Sequence, residues 1–481
     1  MAFKCFCFIN LLFLVAVAVI AQAPCYSARP NRVLFQEAGP PVTFEKVSVG
    51  VFVTCGIATG TGDLYCAGNN DDGAVGDGTQ IRRTTMTKVI GDGPWIDVSA
   101  GDWHACGTKA DNTAYCWGFN EGRLGTGKAD PIQATTPQQV NGTWSQISAG
   151  HFHSCGLQTS GQVLCWGNNK NGRLGNGEIS GIGSLGAETY EFSPLPVKNG
   201  ANFKTISAKG SHTCGLKNDG TAWCWGGNDD GELGIGEFGG YKTVPTKVPG
   251  SWKEINNGLR FTCGIDSKDD AYCWGALRGG NSTHEQLDSK PQKIGPPGQK
   301  WSKITGGMQH ACGILTDGTA RCFGLGWHGQ LMNGLNTSYA EPFAISCNST
   351  EPCEPKGGGL WKDIYAGEYN SCGIYQDGTL VCAGENPYGS LGSGTDNNFI
   401  YDPTPVTPVF SIAAVAPAMA PGMAPAMAPV PALAPSLAPV PLEEASAEPS
   451  VMLPPPVAPV SGAEKAVASV VAVFAAFVAA F

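Results

Sequence analysis

The chain has 481 residues, of which 15% are charged, and its formal net charge is −10 at pH 7. No run of Lys and Arg interrupts this acidity, so the basic patch that nucleic acid or an anionic membrane surface attracts is missing, and a chromatin role is disfavoured. Length alone would fit several domains, but a repeat near fifty residues assigns most of the chain to one body.

At the N-terminus, Lys4 is followed by an apolar run from Phe8 to Ile20 and then by small residues. This is the pattern of a secretory signal peptide, assigned to residues 1–27 with cleavage after Ala21, Ala23 or Ser27. The apolar run is shorter than the ~20 residues that a membrane span needs. Cleavage after Ser27 removes Cys5, Cys7 and Cys25 and leaves sixteen of the 19 cysteines (19 − 3), an even number. Secretion makes disulfides the expected state of those that remain.

Seven times a Cys-Gly pair is followed, ten or eleven residues after the Cys, by a second Cys. The pairs are Cys55 and Cys66, Cys106 and Cys116, Cys155 and Cys165, Cys214 and Cys224, Cys263 and Cys273, Cys312 and Cys322, and Cys372 and Cys382. Zinc knuckles would need Cys-x-x-Cys spacing, so no metal site is expected here. The unit is clearest in residues 203–236. Strands are expected around Phe203 and Ile206, from Cys214 to Leu216, from Ala222 to Trp225 and from Thr243 to Val248.

Cys214 and Cys224 are symmetric about Asp219, so a three-residue loop, Asn218 to Gly220, places them directly opposite each other. Such a loop ends on a left-handed residue, and that slot holds Gly161, Gly220, Gly318 or Gly378, with Asn112 and Asp269 in two units. Opposed positions bring Cα atoms to ~4.5 Å, within reach of a disulfide. Seven bonds are therefore predicted, each inside one unit, and the extra residue between Cys55 and Cys66 requires a longer or bulged loop. Cys347 and Cys353 fall in an insertion and are expected to pair with each other.

Four short strands per unit and seven units, with no polar capping repeats, favour a closed ring over an open solenoid. The fold class is all-β, a seven-bladed β-propeller over residues 32–410. Its last blade is expected to take its outer strand from Arg32–Phe35 or from Pro403–Val409. Asn141, Asn281, Asn336 and Asn348 begin Asn-x-Ser/Thr sequons and are candidate N-glycan sites.

Residues 411–461 are rich in Ala and Pro, with Ala-Pro recurring from Ala416 to Pro439, a composition that favours an extended stalk. Small residues at Ser461 to Ala463, a short polar spacer and a terminal apolar tail make 462–481 a lipid-anchor signal, with Ser461 the attachment site.

The elements Ile/Val-Ser-Ala-Gly-x-x-His (Val98 to His104, Ile147 to His153), Asp-Gly-x-x-x-Cys-Trp-Gly and Asn-x-x-Gly-x-Leu-Gly resemble the regulator-of-chromosome-condensation repeat. The cysteine-bracketed form is similar to the extracellular repeats of crinkly-type plant receptor kinases. The resemblance covers residues 42 to about 409 and implies a seven-bladed propeller. No Gly-rich loop, His-Arg-Asp or Asp-Phe-Gly motif follows, so no kinase is expected. Nor is guanine-nucleotide exchange implied.

His104, His153, His212 and His310 occupy one repeat position, replaced elsewhere by Val53, Phe261 and Asn370. A coordinating ring would not tolerate those replacements. The histidines are therefore read as frame residues bonding a neighbouring backbone group, and Trp117, Trp166, Trp225 and Trp274 as packing residues. The two positions ahead of the His slot vary freely and fall in loops on one face, where a rigid scaffold usually carries its binding residues.

The candidate ligand-binding face comprises Phe52, Asp102, Trp103, His151, Phe152, Arg260, Gln309, Glu368 and Tyr369. No catalytic constellation stands out, and neither an enzyme activity nor a cofactor is expected. The reading is a cell-surface or cell-wall propeller that binds an extracellular peptide, protein or glycan. It would be held to the membrane by its lipid anchor, would signal through a membrane receptor partner, and would not bind nucleic acid. A structural wall or matrix glycoprotein is the alternative.

Overall fold

A computed structural model describes residues 42–179, 190–277, 287–336, 339–344 and 360–406. Seven four-stranded antiparallel sheets are formed, each from consecutive strands. The blades run from Phe44 to Lys88, Trp95 to Val140, Trp144 to Pro196, Phe203 to Lys247, Trp252 to Lys293, Trp301 to Ala344 and Trp361 to Pro405. Below, the strands of each blade are a to d in chain order. Strand a lines the ring axis, because the axial channel is bordered by strand-a residues of all seven blades. The c–d loops lie on the same face as the a–b loops.

In blade 4 the strands are Phe203–Lys209, His212–Lys217, Ala222–Gly227 and Tyr241–Lys247, close to the expected positions. The three-residue b–c loop is present: Lys217 N–H donates to Thr221 O at 2.9 Å and Gly220 N–H to Lys217 O at 3.0 Å. Asn112 and Asp269 fill the same slot at φ 64° and 66°, so the backbone requirement is met even without glycine. Blade 1 has a four-residue loop closed by Ala58 N–H to Asp63 O, 2.8 Å.

All seven predicted disulfides form, each within one blade and with Cα atoms 4.0–4.1 Å apart. Blade by blade, Cys55 bonds Cys66, Cys106 bonds Cys116, Cys155 bonds Cys165 and Cys214 bonds Cys224. In the last three blades Cys263 bonds Cys273, Cys312 bonds Cys322 and Cys372 bonds Cys382. In every case the two cysteines face each other across strands b and c, as the symmetric hairpin requires. The bonds also have a second role. Each lies in the apolar layer between blades, as where Cys155 and Cys165 pack with Phe203 and Trp225 of the next blade. Cys347, Cys353, Asn281, Asn348, Ser461 and both terminal segments lie outside the described residues. Asn141 and Asn336 are exposed.

The Cys-Gly dipeptide has a steric cause. Strand a begins with Phe44, Trp95, Trp144, Phe203, Trp252, Trp301 or Trp361, whose ring lies flat on the glycine of strand b. A Cβ at Gly373 would stand 2.2 Å from the Trp361 ring.

The ring closes without strand exchange among the described residues. Blade 7 takes its outer strand, Phe399–Pro405, from its own sequence, overlapping the expected 403–409 segment. The backbone N–H of each strand-a aromatic donates to the carbonyl of the left-handed loop residue of the preceding blade, and Phe44 N–H to Gly378 O (2.8 Å) repeats this bond at the closure. Gly394 N–H to Thr84 O (2.7 Å) likewise repeats the c–d loop to strand-d bond made by Gly78 to Thr135 O (2.9 Å).

Candidate functional site

The axial channel encloses about 460 Å³. Alternation along strand a gives it layers. One layer is polar: Ser48, Ser99, Ser148 and Ser207 each accept the backbone N–H of the next blade at 2.9–3.0 Å. The layer before it is charged, with Lys46 paired to Asp97 at 2.7 Å and Lys303 paired to Asp363. Burial lifts Glu254, in the same layer, to about 7 despite Lys303 nearby.

The layer at the mouth is Gly50, Gly101, Gly150, Lys209, Gly258, Gly307 and Gly367. Glycine is needed there because neighbouring blades touch: a Cβ at Gly50 would stand 2.0 Å from Gly101 O, and at Gly307 2.4 Å from Gly367 O. Lys209 alone has a side chain at this level. Its ammonium crosses the mouth to Gly306 O at 2.8 Å and Ala366 O at 2.9 Å, joining blade 4 to blades 6 and 7. Burial lowers its pKa to about 8, although Glu368 and Asp102 oppose the shift.

Three residues of the expected face meet above it. His151 Nδ1 lies 3.1 Å from Asp102 Oδ2, and its Nε2 is in contact with Glu368 Oε1. Asp102, His151 and Glu368 are the one group of possible metal ligands among the described residues. Yet the two ring nitrogens face different carboxyl groups, so the trio holds one proton more than a neutral imidazole and two carboxylates would carry. Burial works against a proton on His151, but Asp102 and Glu368 outweigh it and hold the pKa above the usual imidazole value. Burial raises Asp102 to about 7 against the pull of His151, and His151 brings Glu368 below the ordinary carboxylate range despite its burial.

The other expected residues divide into two groups. Over blades 1, 2 and 7 the face is aromatic: Phe52 packs on Trp103 at 4.5 Å between ring centroids and on Tyr388 at 6.1 Å. Tyr388 is held at φ 59°, an unfavourable conformation for a bulky residue, and Arg82 covers its ring at 4.2 Å. Tyr369 stacks on His328 (5.1 Å), which meets Phe399 (5.2 Å), followed by Tyr401 (6.4 Å).

Over blades 3 to 5 the face is ionic. Phe152 is exposed, but Arg123 and Arg173 lie over its ring. The Arg260 guanidinium makes two bonds to Asp230, at 2.6 and 2.7 Å, so it is already engaged. Gln309 is buried, as are Asp102 and Glu368.

The slot histidines are frame residues, but their partner differs from the expected backbone group. Each Nε2 bonds a side-chain hydroxyl of the following blade: His104 to Ser154 (2.8 Å), His153 to Thr213 (2.8 Å), His212 to Thr262 (2.9 Å) and His310 to Ser371 (2.9 Å). Three of these hydroxyls donate onward to a c–d loop carbonyl, of Arg123, Arg173 or Glu232, and that carbonyl also accepts Trp166, Trp225 or Trp274 Nε1–H. Neutral imidazole suits this role, and burial drives His104, His212 and His310 down to about 3.

Sequence reasoning missed Tyr388, His328, Phe399, Tyr401 and Lys209. For Lys209 a signal existed, since it alone replaces the glycine of Ser-Ala-Gly. The belt residues lie in c–d loops and outer strands, where no repeat position marks them.

Comparison with known proteins defines the class. The regulator of chromosome condensation (RCC1) repeat matches residues 95–122, 144–173, 203–232 and 361–390 in one form and 111–157 and 160–216 in another. The chain thus carries RCC1 repeats, folded as a seven-bladed propeller, and no kinase fold is present among the described residues. The Ultraviolet-B receptor UVR8 of Arabidopsis thaliana is 27% identical over 192 residues, 38% of this chain and 41% of that protein's length. Human WBSCR16 superposes with TM-score 0.62 and 19% identity, over 72% of this chain and 94% of its own. Yeast RCC1 (Prp20), solved bound to Kap60, superposes with TM-score 0.57 and 21% identity, over 67% and 78%. The CRINKLY ectodomain of the Arabidopsis thaliana receptor kinase ACR4 aligns at 21% identity over 71% and 98%, TM-score 0.42.

Proposed function

We propose that this chain is an extracellular, cell-surface recognition propeller that binds a peptide, protein or glycan on its a–b loop face and signals through a separate membrane protein. The observation that carries this reading is the aromatic belt of Phe52, Trp103, Tyr388, Tyr369, His328 and Phe399 on a frame stapled in every blade. Large rings presented on rigid loops supply contact area at little ordering cost. Seven buried disulfides suit an oxidising compartment.

The sequence supports a lipid anchor at Ser461 and N-glycans at exposed Asn141 and Asn336. No helix among the described residues is long and apolar enough to cross a membrane. No hydrolytic or transfer activity is assigned to the chain.

The test is crosslinking capture from intact cell surfaces with the wild type and with a double variant combining Trp103→Ala and Tyr369→Ala. Loss of the captured partner in a variant with unchanged melting supports the reading. Equal capture by both proteins places the ligand elsewhere, and no specific partner for either leaves the structural-glycoprotein alternative. Release of the protein from membranes by a phosphatidylinositol-specific phospholipase checks the anchor.

A further inference from the structure

The mouth of the channel holds three polar side chains, from blades 2, 3 and 7, and one lysine from blade 4 that the rest of the molecule does not explain. Among the described residues the ring is closed by contacts between neighbouring blades, and these groups add ties across its diameter. We propose that Lys209 and the Asp102–His151–Glu368 trio form a proton-dependent lock that holds blades 2, 3 and 4 to blades 6 and 7 and fixes the ligand-facing loops above them.

Four observations support it. Six blades have glycine at the level of Lys209, so the lysine enters a hole that its neighbours leave vacant. Both of its acceptors, Gly306 O and Ala366 O, belong to the far side of the ring. His151 sits between carboxylates of blade 2 and blade 7, which are not neighbours of each other across its ring. A neutral imidazole donates from only one nitrogen, so two facing acceptors require a second proton on the trio.

The charged and titratable groups around His151 are Asp102, Glu368 and Lys209, with Arg123 on the adjoining loop, its Nε donating to His151 O at 3.1 Å. His104 and His153 beneath remain neutral because burial depresses both. Trp103, Phe152 and Tyr369 directly follow the three members of the trio, so the lock and the aromatic face share their loops.

The direction with pH follows. A histidine whose folded pKa lies above its unfolded value stabilises the fold fully below the unfolded pKa, and that contribution disappears as pH rises through the folded pKa. The raised Asp102 acts in the same sense, because its ionisation is penalised only in the fold. Glu368, depressed, contributes fully at pH above its unfolded value, and that contribution is lost as pH falls through its folded value. The lock is therefore closed between the ordinary carboxylate range and neutrality, and it loosens above.

The experiment uses the oxidised, full-length protein and amide hydrogen exchange of residues 306–308 and 366–370, corrected for intrinsic rates, at about pH 6 and about pH 8. The wild type is expected to lose roughly tenfold or more of its protection at the higher pH, with residues 213–216 of blade 4 unchanged. His151→Gln should remove the pH difference, and Asp102→Asn should reduce it. His328→Gln, at the other partly buried histidine of this face, should leave it intact. Lys209→Met should lower protection at both pH values. Equal corrected protection of the wild type at the two pH values overturns the proposal, as does a pH difference that survives His151→Gln or disappears in His328→Gln.

Discussion

The blade interfaces are built in two ways. From blade 1 to blade 5, Trp117, Trp166, Trp225 and Trp274 each donate to a carbonyl of the preceding blade's c–d loop, and three of these four interfaces add a histidine–hydroxyl bond. At the interfaces 5–6, 6–7 and 7–1 the tryptophan is replaced by Phe323, Ala383 and Ala67, and only His310–Ser371 remains of the polar pairs. Most of the aromatic belt, from His328 and Tyr369 to Tyr388 and Phe52, lies over this second region, and Trp103 carries it onto blade 2. The tryptophan and most of the histidine bonds are thus lost beside much of the aromatic belt, and apolar side chains take the tryptophan position.

The sharpest test of this contrast is removal of one disulfide on each side. Replacing both Cys372 and Cys382 by Ala, or both Cys214 and Cys224, forfeits roughly 2–3 kcal/mol of loop-closure stabilisation, besides the packing lost between blades. The variant lacking Cys372 and Cys382 should melt lower and be cleaved first in blades 6 to 1. Equal melting and the same cleavage map would show that the two halves are held alike.

A finer contrast uses one residue type at equivalent positions. Thr213→Val strands His153 and removes a bond to Arg173 O, and should cost about 2–3 kcal/mol. Thr54, the same position at the 7–1 interface, has a buried hydroxyl without a partner because Asn370 stands where the histidine would be. Thr54→Val should be neutral or stabilising by up to about 1 kcal/mol, read from thermal or denaturant melts. Trp225→Phe should cost about 1–2 kcal/mol, leaving Arg173 O one bond short. Arg260→Ala comes last, at about 1 kcal/mol, since its ion pair with the buried Asp230 is open to water on the arginine side, and ligand capture should be unchanged.

Architecture was legible because its causes are local and repeated. The left-handed slot, the Cys-Gly pair and the ring-on-glycine contact each leave a residue at a fixed place seven times. The histidine network was legible too, though only when the slot is compared with the next residue of the following blade. His104, His153, His212 and His310 precede Ser154, Thr213, Thr262 and Ser371, while Val53 and Phe261 precede Ala105 and Ala311. An apolar slot residue meets an alanine, and a histidine meets a hydroxyl.

The expected face was legible in position and less so in chemistry. Asp102 and His151 come from consecutive blades and Glu368 from the last, and only closure of the ring brings Glu368 to the other two. Arg260, a candidate binding residue, is engaged by Asp230 of a neighbouring blade's loop, a pairing that no sequence spacing marks. Tyr388 and Phe399 could not be found by repeat comparison, since their loops differ in length and composition from blade to blade.

Closure by the same backbone bond at every interface has a directional consequence. Phe44 enters at Gly378, and Val406 N–H is bonded to Leu380 O, so both ends of the described propeller emerge beside the b–c hairpins of blade 7. The aromatic belt occupies the opposite pole. A chain that leaves the propeller at residue 406 therefore departs from the pole opposite the aromatic belt.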